Sequence, residues 1–561
     1  MKQLSDTSGA AGAARLAIVA AFSLLTAIAG VFTMPPLDRD EARFAQATAQ
    51  MLESGDFVTI RFQAEERNKK PAGIHWLQAA SVSVFSSTEA REIWAYRLPS
   101  VLGAVLAALF TYVAGARLFS PAAGFLAALL LASAPALAGE ATIAKTDAML
   151  LACVAGAQAA FIHIFAAAID GRRTGLVAVL LFWAAIGAGV LVKGPIILMV
   201  VGLTAVSMFF FRPRLDWIAA LRPAAGLIVL ILMIAPWAFL IHQATDGRFF
   251  IEAIGGDMLA KLGDAKESHG GPPGYYAVLL FVLFWPAAAL ILPGMRAAVA
   301  GRSDWRNFFL LGWVAPSWIV FELTATKLPH YALPLYPALA LLAANAATTG
   351  AAGAFPLLRR AGAAIYLLVG VAIAAVIAAL PVIYGEDGLR LYAFASAAAI
   401  LGASLACGFL FLKNRAVEGA LAAALVSSAL AWTLLAGVLP RLDRLALSPR
   451  LSAAIETAGL HPLRDGADPV ILSGYYEPSA IFLLGTQTML GDGASAAERF
   501  AATRGAAAIE AREEIAFKER LSARGVRAEE FAQIDGVNYS NGKSTMLRLY
   551  RHPPAAAPSG E

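Results

Sequence analysis

A chain of 561 residues that is 59% hydrophobic and 15% charged, with a mean hydropathy of +0.66, lies far from the soluble mix of roughly 25% charged residues. That excludes a soluble globular class and implies a polytopic membrane protein. The formal charge of +5 comes from Lys and Arg spread over short loops, which leaves no nucleic-acid footprint, and two cysteines, Cys153 and Cys407, both inside apolar runs, support neither a disulfide framework nor a Cys-based metal site.

Apolar windows of about 20 residues fall near 14–34, 97–116, 121–138, 148–169, 175–192, 195–211, 224–241, 276–294, 307–322, 331–349, 362–383, 391–412 and 417–438. This predicts about thirteen transmembrane helices. The first is read as a retained helix, because a long Ser/Gly/Ala stretch precedes it and no cleavage-site character follows. Alternate loops hold Arg117, Arg172 with Arg173, Arg212 with Arg214 and Arg222, Arg296 with Arg302 and Arg306, Arg359 with Arg360, and Lys413 with Arg415. By the positive-inside rule these loops, with Lys2 and Arg15, are cytoplasmic. The other loops and the C-terminus are then expected outside, and helical spans point to a bacterial inner membrane.

Nearly every acidic and mixed-charge cluster falls in the loops of that second side. A charge at the bilayer centre costs about 2.5 to 3.5 kcal/mol on insertion scales, so a transporter must hold ionisable groups in mid-span. The span centres here are almost bare of them, and no repeat relates two halves. An enzyme at the membrane surface fits better than a lipid-linked sugar transporter, and a receptor or scaffold would leave Asp40 and Asp147 without a task.

In chain order, the first cluster is "DRDEARFAQATAQML". Asp38 and Glu41 have the spacing of a capping box opening an interfacial helix. Capping accounts equally well for these two carboxylates, whereas Asp40, with Arg43 at i+3, is either a surface ion pair or a base beside a phosphate clamp. "NKKPAGIHWL" places Lys69 and Lys70 before a helix start at Pro71. Cations beside free backbone N–H groups suit an anionic phosphate, or acidic headgroups. "GEATIAKTDAML" puts Lys145 and Asp147 at the mouth of the fourth span, and "LVKGP" puts Lys193 at the end of the fifth. The long Gly-rich segment 249–276 is expected to be a lid. "KLPHYALPLYPALALL" brings Lys327, His330 and Tyr331 between helix-breaking prolines, as a phosphate clamp or an interfacial belt.

Beyond residue 440 the composition changes. "DPVILSGYYEPSAIFLLG" reads as strand then helix, "ASAAERFAATRG" and "EEIAFKERLSARG" as amphipathic helices, and "FAQIDGVNYSNGKSTMLRLYR" as a hairpin with an Asn-Gly turn. The expected organisation is a transmembrane domain over 1–440, with interfacial helices in its first loop (35–91). A small extracytoplasmic α/β domain over 441–550 and a Pro/Ala tail over 551–561 follow.

As an ordered set, these motifs resemble the GT-C-type membrane glycosyltransferases, in the bacterial branch that includes protein mannosyltransferase-like enzymes and the lipid A aminoarabinose and galacturonic acid transferases. The resemblance spans the first 440 residues. It implies Asp40 as the base with Glu41 beside it, Arg43 and Lys70 at the donor phosphate, and Asp147 as the second loop carboxylate. It further implies a polyprenyl phosphate sugar donor, an inverting displacement, and an acceptor in lipid A or the lipopolysaccharide core, with exported proteins as the alternative acceptor. Lys69, Lys193, Lys327, His330 and Tyr331 complete the expected phosphate and donor site. In the aminoarabinose transferases a Glu of the metal site stands where this chain has Lys69. A Lys cannot replace it as a ligand, so no metal or other cofactor is assigned, and a carboxylated donor sugar becomes a hypothesis.

Overall fold

The computed structural model describes residues 9–259 and 270–553. Residues 260–269 of the expected lid and 554–561 of the expected tail lie outside the described residues. The chain forms two compact units. One comprises the chain up to Phe32, Arg67–Leu77 and Arg97–Leu439; the other comprises Thr33–Glu66, Gln78–Tyr96 and the chain from Pro440.

The first unit is helical. Its helices are α1 (Ala10–Ala27), the start of α3 (Gly73–Phe85), most of α4 (Ile93–Leu118), α5 (Pro121–Ala132), α6 (Pro135–Ala141), α7 (Asp147–Ile169), α8 (Leu176–Lys193) and α9 (Ile196–Phe211). They continue with α10 (Pro223–Ala244), α11 (Tyr275–Leu283), α12 (Ala288–Ala300), α13 (Trp305–Leu323), α14 (Tyr336–Thr348), α15 (Pro356–Tyr384), α16 (Arg390–Leu412) and α17 (Ala416–Ala431). Among the described residues nine helices are long and apolar enough to cross a membrane, or up to eleven if each of two bent pairs is one span. Each of the thirteen sequence windows coincides with a helix or a bent pair. The two that fall short of a span are α9, with 16 residues, and α13, which carries Arg306, Asn307 and Glu322.

The breaks have local causes. Pro135 opens α6 after Ser133, and the axis turns by 60° because proline cannot continue the ladder of the preceding turn. A second turn of 92° falls between α11 and α12 at Trp285-Pro286. Large apolar side chains stay exposed on the outer faces, among them Leu232, Leu357, Leu368 and Leu391, as a lipid-facing belt requires. The interior is closed by aromatic packing: Trp285 stacks on Tyr366 with centroids 5.0 Å apart, and its indole N–H donates to the Tyr366 carbonyl at 2.9 Å.

The second unit is built on a five-stranded sheet of order β4-β3-β5-β7-β6. Its strands are β3 (Ile471–Ser473), β4 (Met489–Leu490), β5 (Ala507–Glu510), β6 (Glu529–Val537) and β7 (Ser544–Arg551). β3 is parallel to β4 and β5, while β7 runs antiparallel to β5 and β6. Period-two alternation sends Leu472, Ala508, Leu547 and Leu549 to one face, where α18 (Leu447–Thr457) and α19 (Pro478–Leu484) pack. Ile471, Ala507, Ile509 and Tyr550 face α20 (Gly493–Ala502) and α21 (Glu514–Arg524). The expected hairpin forms, with Gly542 at φ +70° in the loop between the Val537 and Ser544 partners.

The same unit contains α2 (Arg39–Ser54), capped by Asp38, whose carboxylate accepts the Glu41 N–H at 2.8 Å. A two-stranded ribbon of β1 (Arg61–Phe62) and β2 (Glu65–Glu66) follows. Protein and sequence agree here: the D-x-x-E spacing marks a helix start. The chain is a polytopic α-helical membrane protein with a small C-terminal α/β domain.

Candidate active site

In the first unit, helix ends and breaks carry a set of charges into one buried place. Gly103 lies so close to the start of α7 that a Cβ there would stand 2.6 Å from the Ala148 carbonyl carbon. Only glycine admits that approach. The Ser100 hydroxyl then donates to the Ile143 carbonyl at 2.7 Å, holding the turn that ends at Asp147. On α8, Gly194 takes φ +78°, a conformation other residues rarely adopt, and so stops the helix immediately after Lys193. A 3-10 segment over Pro329–Leu335, set by Pro329 and Pro334, presents His330 and Tyr331.

The Lys193 ammonium is hydrogen-bonded to Asp147 Oδ1, with the two side chains 8% and 7% exposed. His330 lies between two carboxylates: its Nδ1 is 3.4 Å from Glu140 Oε1 and its Nε2 is 3.6 Å from Asp147 Oδ1. Lys145 Nζ stands 3.8 Å from Glu140 Oε2, and the Lys193 ammonium lies 5.7 Å from the Tyr331 ring centroid, within cation–π range. Two carboxylates, each paired with an ammonium group, thus flank one imidazole that is 16% exposed. A buried charge is tolerated only when paired, and here the pairing is reciprocal.

Of the expected residues, Asp147, Lys193, His330 and Tyr331 come together. Lys327 does not join them: its ammonium is held by Glu322 at 3.3 Å and by the carbonyls of Gly271 and Pro272 at 3.1 and 3.2 Å. Lys69 is exposed and Lys70 half-buried, just before α3. In the second unit, Asp40 and Arg43 form an ion pair at 3.2 Å with side chains 51% and 28% exposed, while Glu41 is buried. Sequence reasoning missed Glu140. Its signal was an acid inside an otherwise apolar stretch, one helix turn after a proline. Among the described residues no group of three or more His, Cys, Asp or Glu side chains is placed to hold a metal ion.

The profile of the family described as "Dolichyl-phosphate-mannose-protein mannosyltransferase" matches residues 69–239. The "Undecaprenyl phosphate-alpha-4-amino-4-deoxy-L-arabinose arabinosyl transferase" of Pseudomonas aeruginosa is 29% identical over 334 residues, covering 58% of this chain and 59% of that protein. The protein of the same name from Yersinia pestis is 28% identical over 385 residues, covering 67% of this chain and 66% of the other. The chain therefore spans about three-fifths of the length of the first of these curated relatives. Among solved structures, ArnT from Cupriavidus metallidurans bound to undecaprenyl phosphate matches with a TM-score of 0.72 at 18% identity, over 96% of this chain and 98% of that one. The Archaeoglobus fulgidus oligosaccharyltransferase matches with a TM-score of 0.50 at 13% identity, over 95% of this chain and 70% of that one. The fold is of the GT-C type that the sequence motifs resemble.

Proposed function

We propose that this chain transfers a sugar from a polyprenyl phosphate donor to lipid A or the lipopolysaccharide core, on the outer side of a bacterial inner membrane. The observation that carries this reading is the buried cluster of Glu140, Lys145, Asp147, Lys193 and His330, gathered at helix ends in a GT-C fold. Its lysines and histidine suit the charge that develops on a departing phosphate, and fixed cations in a dry site stabilise such charge more than water does. Similarity to the aminoarabinose transferases and to the ArnT fold supports the same chemistry.

In the proposed reaction the acceptor hydroxyl oxygen attacks the anomeric carbon as the bond to the polyprenyl phosphate oxygen breaks, with inversion. Asp40 takes the hydroxyl proton. Arg43, Lys70 and Lys193 offset charge on the phosphate, and Lys69, His330 and Tyr331 complete donor binding. Asp147 keeps Lys193 and His330 in place, and Glu41 anchors α2 from its buried face. Lys327, held by Glu322 and two carbonyls, is a weaker candidate for the phosphate than Lys193, whose partner Asp147 belongs to the same cluster. The lysine at position 69 favours a carboxylated donor sugar. Lys69→Glu should then weaken use of an acidic donor far more than a neutral one, and equal losses would remove that idea.

The test is mass spectrometry of lipid A, core oligosaccharide and exported glycoproteins from cells lacking this chain, restored with wild type or with Lys193→Met. Loss of one sugar mass from lipid A or core, returning only with wild type, supports the reading. Loss from exported proteins moves the acceptor to protein, in line with the family match over residues 69–239. No change in any pool would overturn the transferase reading.

A further inference from the structure

The C-terminal α/β domain contains none of the residues assigned a chemical role, yet it grips α2 at three levels. At the helix start, Arg39 Nε lies 3.2 Å from Glu477 Oε2. Glu477 is 4% exposed, and its other oxygen accepts from Asn538 Nδ2 at 3.0 Å and from Ser540 Oγ at 2.6 Å. Both donors belong to the β6–β7 loop, so the carboxylate is fixed by the domain before it meets Arg39. Two turns along, the Thr486 hydroxyl accepts from Gln46 Nε2 at 2.7 Å and donates to Glu53 Oε2 at 2.6 Å. Beyond the helix, Gln63 Nε2 donates to the Thr488 carbonyl at 2.6 Å. Arg91 adds a brace: it pairs with Glu53, donates to Gln46 Oε1 at 3.2 Å, and stands 5.6 Å from the Phe482 ring centroid.

The contact at Arg39 differs from the others in kind. Thr486 and Gln63 exchange hydrogen bonds in which the domain supplies no charge, and the buried charge of Arg91 is met by Glu53 on α2 itself. Glu477 instead keeps a charge buried, and among the described residues Arg39 is the cation paired with it. Leaving a carboxylate buried without its cation is costly, so the domain has a strong reason to hold Arg39 at one place. Arg39 directly precedes Asp40, whose side chain is half-exposed and pairs with Arg43 along the same helix.

We infer that Glu477 of the C-terminal domain is a positioning residue for Asp40, acting through Arg39 to fix the first turn of α2. The domain is then a jig for the proposed base. This rests on the reading of Asp40 given above.

The experiment uses the full chain in detergent and in cells, with Glu477→Gln, Arg39→Gln and the double variant. Gln at 477 keeps a carbonyl oxygen for Asn538 and Ser540 and removes the charge facing Arg39. Hydrogen–deuterium exchange should rise in peptides covering 39–46 in all three variants, with no change in peptides covering 507–510 and 544–551. The rate at which the sugar mass appears after induction, per folded molecule, should fall about ten- to a hundred-fold. The double variant should be no slower than either single one, and Arg39→Lys should recover part of the rate. Additive losses, faster exchange throughout the domain, or an unchanged rate per folded molecule would overturn the inference. Asp40→Asn is run alongside. Full activity in that variant would sink the reading beneath the inference, whereas an inactive Asp40→Asn beside a fully active Glu477→Gln would sink the inference alone.

Discussion

The Lys193 ammonium and the Asp147 carboxylate meet where one apolar helix ends and another begins, neither side chain more than 8% exposed. Asp147→Asn leaves Lys145, Lys193 and His330 facing Glu140 as the remaining carboxylate of the cluster. Removing one partner of a buried pair costs about 3–5 kcal/mol. Asp147→Asn combined with Lys193→Met should cost less than Asp147→Asn alone while remaining inactive. Thermal unfolding in detergent measures this, and additive losses would mean the two side chains are not coupled.

Asp40→Asn should behave in the opposite way. The carboxylate is half-exposed and its pair with Arg43 is a surface one, worth at most about 1 kcal/mol. Stability should stay within about 0.5 kcal/mol of wild type, while sugar transfer falls roughly 10²- to 10⁴-fold, the usual contribution of a general base. Loss of activity together with loss of fold would assign Asp40 to structure.

Gly103→Ala probes how closely α4 must approach α7. The added methyl meets the Ala148 backbone at 2.6 Å, and backbone cannot yield as a flexible side chain does. Overpacking of this kind costs about 1–3 kcal/mol. Because Ala148 adjoins Asp147, activity should fall as well. An unfolding temperature equal to wild type would show that α4 shifts freely.

His461 predicts a pH dependence for the C-terminal domain. Burial, followed by the nearby Arg464 charge, holds its imidazole below the usual value of 6.5. The ring accepts the Leu463 N–H at Nδ1, so its proton sits on Nε2, facing the Ser452 hydroxyl at 3.1 Å. The unfolded chain therefore binds a proton more readily than the folded one. This contribution is complete above about pH 6.5 and is lost as pH falls from there through the folded pKa, with a slope of at most about 1.4 kcal/mol per pH unit. His461→Asn keeps a cap for Leu463 and removes the titration, so its stability should be flatter between pH 7.5 and 5 in denaturant titrations. An unchanged slope would put the proton elsewhere.

Much of this was legible because membrane spans and capped helices announce themselves. Thirteen apolar windows land on helices, and Asp38 caps α2 as its spacing implies. Lys193 and Asp147 could be named as span-end charges, but no pattern along the chain says that two ends 46 residues apart touch. Glu140 escaped because, beside the nearby Lys145, its partner His330 comes from a distant 3-10 turn, a contact made only in three dimensions. β5 was hidden for a different reason: "AAIE" is buried on both faces and so has no alternation to read. Lys327 looked equivalent to Lys193, but it is held by Glu322 and the carbonyls of Gly271 and Pro272, whereas Lys193 is paired with Asp147.

Gln46 and Thr486 are 440 residues apart in the chain. At the usual pace of synthesis, about 5–20 residues per second, α2 leaves the ribosome roughly 20 to 90 seconds before the threonine that receives it. A lone helix of 16 residues is marginal in water, and throughout that interval its first turn lacks the Glu477 carboxylate that pairs with Arg39. The segment that seats α2 therefore acts as a clock: the spans made before it can be in place while the helix bearing Asp40 still waits for its seat.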